Sequence, residues 1–89
     1  MRHIPQFMLD AIPADITFID KDGSVYVGRF DRDKVEFGNI EEQPIWSIRK
    51  IAKEETEQGV SYFATYPDGC TLYNYIWNEK LSLNYKFKN

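Results

Sequence analysis

The 89-residue chain carries 14 acidic and 11 basic side chains, a formal charge of −3 and one cysteine. The acidic balance disfavours a general nucleic-acid binder, which needs a basic patch to neutralise phosphates. The lone Cys70 excludes an intrachain disulfide and a cysteine metal cluster.

Eighty-nine residues make one domain, residues 1–89, and a chain of this size buries only about 60–65% of its unfolded surface. Six Tyr, six Phe and two Trp concentrate that burial in few residues and argue against disorder. Charge is uneven: residues 1–59 hold 12 acids against 8 bases, and residues 60–89 hold 2 against 3.

Residues 1–4 read as a loose arm, with no apolar leader region, and no stretch reaches membrane-spanning length. Cytoplasmic is the expected location, with no membrane partner. Pro5 suits the start of a short helix, Phe7, Met8, Ala11 and Ile12 fall at helical spacing, and Pro13 ends it.

Residues 15–19 and 24–30 read as a hairpin turned by Asp20-Lys21-Asp22-Gly23. Pairing Ile19 with Val25 sets Phe18 opposite Tyr26 and Thr17 opposite Val27. Both faces are then apolar, the pattern of strands covered on both sides. Asp31-Arg32-Asp33-Lys34 is a charged turn, Val35-Glu36-Phe37 a short strand, and Glu41-Glu42-Gln43-Pro44 a polar breaker.

Residues 45–57 fit either a helix, with Ile45, Ile48 and Ala52 as its stripe, or a strand. The glutamates at 54, 55 and 57 oppose the helix dipole, and the reading favours a strand over 45–53 that turns through Glu57-Gln58-Gly59.

Residues 59–77 read as the organising hairpin. Pro67 and Asp68 suit the centre of a turn, and Gly69 supplies a positive φ. In that register Tyr66 pairs with Cys70 and Val60 with Ile76. The opposite face sets Phe63 against Tyr73 and Ser61 against Tyr75, with Trp77 beyond. After a turn at Asn78-Glu79-Lys80, Leu81, Leu83, Tyr85 and Phe87 alternate with polar residues, the pattern of a half-buried strand.

No constellation for catalysis stands out, and no enzyme, metal or cofactor is expected. His3, the one histidine, has no second ligand to share a metal. Cys70 has no cation near it in sequence to activate its thiol. Asp20, Asp22 and Gly23 fail the spacing of a calcium loop. The aromatic face is the one candidate site: Phe63, Tyr73, Tyr75 and Trp77, joined by Trp46, offer a platform for stacking a base, a sugar or a partner's side chain. The competing reading, favoured in so small a protein, packs this face under the N-terminal helix or another strand as core.

The stretch Leu9-Asp10-Ala11-Ile12-Pro13-Ala14-Asp15-Ile16-Thr17-Phe18-Ile19-Asp20-Lys21-Asp22-Gly23 resembles the opening of a PAS sensor domain, where a short helix leads into a first hairpin. The resemblance implies a set of short helices lining a ligand pocket, here within residues 31–58. In a shortened form of that fold, Phe18, Tyr26 and Leu72 would line the cavity.

The expected fold is mainly β, a small bent antiparallel sheet or open barrel of five to seven strands with one or two short helices. The expected function is a non-catalytic binding or accessory module that presents the aromatic hairpin face to a protein partner or to itself. The alternative is a shortened PAS-like small-molecule sensor.

Overall fold

The computed structural model describes residues 14–89. The expected arm at residues 1–4, the helix from Pro5, and His3 lie outside them. Six strands form one open antiparallel sheet: β1 (Ile16–Ile19), β2 (Val25–Phe30), β3 (Pro44–Thr56), β4 (Gly59–Pro67), β5 (Tyr75–Ile76) and β6 (Tyr85–Lys86). The order across the sheet is β1-β2-β3-β4-β6, with β5 pairing β3 off that path. The helical elements among the described residues are three 3-10 turns, Arg32–Lys34, Ile40–Glu42 and Trp77–Ser82.

The first hairpin forms in the register that its alternation dictates, with Phe18 opposite Tyr26 and Ile19 opposite Val25. Gly23 takes φ +90° in the turn, and Asp20 and Asp22 accept backbone hydrogen bonds from Lys21 and Ser24. Residues 45–53 are strand, as expected, within the 13-residue β3. β3 pairs β2 from Trp46 to Ile51 and β4 from Lys50 to Thr56.

Cross-strand partners share a face, and two apolar clusters follow from that parity. On one face Tyr26, Trp46, Ile48 and Trp77 are buried together with Ile45. The 3-10 turn Trp77–Ser82 and the C-terminal segment cover it: the Trp77 ring lies 5.5 Å from that of Trp46, and Tyr85 meets Tyr26 edge-on at 5.6 Å. Strand β2 contributes no side chain at Gly28, and the Trp77 ring occupies the space. On the other face Val25, Val27 and Ile51 are buried, with Tyr62 packed against them.

One expected strand pairing does not form, one expected strand is loop and one is shortened. The pairing of residues 59–67 with residues 70–77 is absent, while β4 pairs β3 through the expected turn at Glu57-Gln58-Gly59. The Pro67-Asp68-Gly69 turn exists, with Asp68 and Gly69 at φ +53° and +71° and Cys70 N–H donating to the Pro67 carbonyl. Two successive left-handed residues steer the chain away from β4. The vacated edge is taken by the C-terminus: Tyr66 pairs with Lys86, Pro67 with Tyr85, and Asp68 N–H donates to the Asn84 carbonyl. Residues 70–74 cross toward β3 instead, where Ser47 Oγ donates to the Thr71 carbonyl at 2.8 Å.

Val35-Glu36-Phe37 is loop rather than strand. The side-chain amide of Gln43 satisfies both backbone groups of Glu36, accepting from its N–H at 2.8 Å and donating to its carbonyl at 2.9 Å. No backbone ladder is then needed. The alternating strand expected over residues 81–87 shrinks to Tyr85–Lys86. Leu81 lies in a 3-10 turn, which Tyr85 pins by donating its hydroxyl to the Lys80 carbonyl at 2.8 Å.

Candidate association surface

The five aromatic residues of the expected platform do not share an exposed face. Trp46 and Trp77 are each 2% exposed, at the centre of the core, and the Trp46 indole N–H donates to the Ile40 carbonyl. Burial of this kind makes them supports of the fold and removes them from any stacking surface. Phe63, on β4, pairs with Ala52 of β3, and its ring meets Phe87 at 6.0 Å. Tyr73 lies in the 70–74 connection and lines a surface hollow beside Asp15 and Arg32.

Tyr75 is half-buried on β5, opposite Trp46. Its hydroxyl donates to the Pro67 carbonyl at 3.1 Å. Burial, with the neighbouring Cys70 thiol and the Asp68 carboxylate behind it, pushes this phenol up to about 12. Burial also raises the Tyr85 phenol well above its ordinary range, with Tyr26 adding to the effect.

The residues named for a sensor pocket are not arranged as one. Tyr26 is packed into the core, Leu72 is 60% exposed, and Phe18 lies beneath the Lys80 ammonium at 4.7 Å. The region 31–58, where the PAS resemblance requires short helices, holds two single 3-10 turns and the longest strand.

The acids near the first hollow have structural partners. Asp15 accepts from the Phe30 N–H at 3.1 Å and from Arg32 at 2.9 Å, and Asp31 caps the 3-10 turn through the Asp33 N–H. This hollow has a volume of about 400 Å³. A second, of about 430 Å³, lies beside Val35, Pro44 and Ile45. Among the described residues, no group of three His, Cys, Asp or Glu side chains is placed to hold a metal ion.

The surface that stands apart is the far half of the β3–β4 hairpin. Beyond Ile51, β3 pairs with β4 alone. From Ala52 to Thr56 the pair is a two-stranded arm about 15 Å long, and residues 54–61 are all exposed. On its other side β4 is paired by β6 only at Tyr66 and Pro67. Residues 59–65 therefore present alternate N–H and C=O groups along an edge that no described strand covers.

That edge reads Gly-Val-Ser-Tyr-Phe-Ala-Thr, without a charged residue. Proteins ordinarily protect such edges with lysine, proline or a bulge. Charge is confined to the β3 side and the tip of the arm, at Lys53, Glu54, Glu55 and Glu57, where Lys53 pairs with Glu55 at 2.8 Å. The sequence contained the signal for this surface in its run of uncharged β-forming residues. The expected pairing with residues 70–76 concealed it.

Compared with protein-family models, with curated proteins and with solved structures, the chain matches none.

Proposed function

We propose that the protein is a non-catalytic association module that works by sheet extension: the open edge of β4 pairs antiparallel with the same edge of a second copy. The observation that carries this reading is an uncharged strand edge on a two-stranded arm, paired by no described strand over residues 59–65. Isolated two-stranded hairpins are marginal in water, and the β4 of the second copy supplies backbone partners along the open edge. An uncharged edge is compatible with its own copy, since no like charges meet across a two-fold axis. Val60, half-exposed, and Ser61 then become part of the interface. The aromatic contribution reduces to Tyr62 and Phe63, which flank the edge.

Sedimentation equilibrium tests the reading. The wild type is expected at twice its chain mass of 10.5 kDa. Val60→Lys and Ser61→Lys are expected to give monomers with unchanged circular dichroism, because both positions are exposed in the single chain and the new lysines would face each other across the axis. A wild-type monomer removes the self-association reading. A dimer that survives both substitutions moves the interface away from β4.

A further inference from the structure

On the face of the sheet that carries Val25, Val27 and Ile51, two arginines stand together without an acidic partner among the described residues. Val27 pairs with Arg49, and Arg29 pairs with Ser47. Arg29 and Arg49 are therefore diagonal neighbours on one face, about 7 Å apart at the backbone. With Val27 and Ser47 they line a small recess of about 20 Å³, which is room for one oxygen atom.

The Nε–H of Arg49 is buried and has no hydrogen-bond partner among the described residues. The guanidinium carbon lies over the Tyr66 ring, 5.7 Å from its centroid, a contact that does not satisfy that donor. Arg29, on the exposed rim, makes no ion pair among the described residues. Arg32 pairs with Asp15, and Lys53 with Glu55. A buried donor on a charged group that is left unmade costs free energy, and such a group calls for a partner. Ser47 Oγ donates its proton to the Thr71 carbonyl, so the two guanidiniums are left as the donors at the recess.

We infer that Arg29 and Arg49 form a binding site for the terminal oxygen of an oxyanion, a phosphate or a carboxylate, seated against Val27. Guanidinium groups suit this task because their donors are fixed in a plane that matches such oxygens. The recess admits one oxygen and leaves the rest of the anion at the surface, where Arg29 meets it. In a chain of net charge −3, this pair is a local positive focus on an otherwise acidic molecule.

The test compares sodium phosphate and sodium acetate with sodium chloride at matched ionic strength and neutral pH. It reads the thermal midpoint and the NMR resonance of the Arg49 Nε–H. One of the two oxyanions is expected to raise the midpoint saturably, on the order of 5 °C near saturation, and to shift the Arg49 resonance with the same concentration dependence. Which of the two acts identifies the class of ligand. Arg29→Gln alters an exposed side chain, keeps the fold, and is expected to weaken binding at least tenfold. Arg49→Lys keeps the charge but lacks the Nε donor, and is expected to lose the saturable response. Phosphate also stabilises proteins generally by exclusion from their surface. A rise that does not saturate, or that persists unchanged in Arg29→Gln, overturns the site, as does an Arg49 resonance indifferent to both anions.

Discussion

Gly28 shows how one atom decides the packing of the core. A Cβ at this position would fall 2.5 Å from Cζ3 and 2.6 Å from Cε3 of Trp77, and 3.0 Å from Cγ2 of Ile16. The indole is almost fully buried and cannot retreat without disturbing Trp46 behind it. Gly28→Ala is therefore expected to destabilise the domain by about 2 kcal/mol, the ordinary cost of overpacking a close-packed core. The measurement is the urea midpoint, which should fall at constant m-value. An unchanged midpoint would mean that the Trp77 ring does not rest on Gly28. Phe37 is the contrasting residue, a large side chain fully exposed at a loop tip. Phe37→Ala should shift the same midpoint by less than about 0.5 kcal/mol. Neither outcome is legible in the sequence. Gly28 lies in an apolar run where nothing announces an indole from far along the chain, and Phe37 alternates with Val35 as a strand residue would.

At the scale of elements, local signals were sufficient where partners adjoin in sequence. The β1–β2 hairpin has alternation, a glycine turn and acids that cap it, and its register follows from those three features. β3 was ambiguous by periodicity, and its pairing on both sides over Lys50 and Ile51 resolved it. The failures arose where distant segments compete for one edge. Tyr85–Lys86 displaced residues 70–71 from β4, a contest between a tight turn and a remote strand that spacing cannot decide. The expected platform does not survive the loss of that hairpin, and the favoured alternative holds for Trp46 and Trp77, which are buried with Tyr26, Ile45 and Ile48.

Val35-Glu36-Phe37 departs from its expected strand for a different reason: a side chain, rather than a neighbouring strand, satisfies the backbone of Glu36. Gln43→Ala removes both of those bonds. At this exposed site the loss to global stability should be only about 0.5–1 kcal/mol. Local opening should rise more visibly, as faster chymotrypsin cleavage after Phe37 than in the wild type. Equal cleavage rates would show that the Gln43 amide does not hold the loop.

At the scale of the molecule, the covering of the sheet by its C-terminus makes stability depend on alkaline pH. Tyr85 is held by desolvation well above the ordinary phenol range, and Tyr75 is pushed up to about 12 by burial, Cys70 and Asp68. Phenols of the unfolded chain release their protons near pH 10. Between pH 10 and 12 the native state retains protons that the unfolded state has lost, so stability falls as pH rises through that window. The contribution of these two groups is fully present below pH 10. Both rings hold the C-terminal half against the sheet: Tyr85 packs on Tyr26, and Tyr75 ties β5 to the end of β4. Tyr85→Phe separates the titration from the packing. At neutral pH it should cost about 1 kcal/mol, for the hydroxyl bond to the Lys80 carbonyl. Above pH 10 its urea midpoint should fall less steeply than that of the wild type, because one of the two phenols retaining a proton is gone. Parallel alkaline limbs in the two proteins would mean that the Tyr85 hydroxyl is solvated in the native state, and the C-terminal segment would then not be seated against Tyr26.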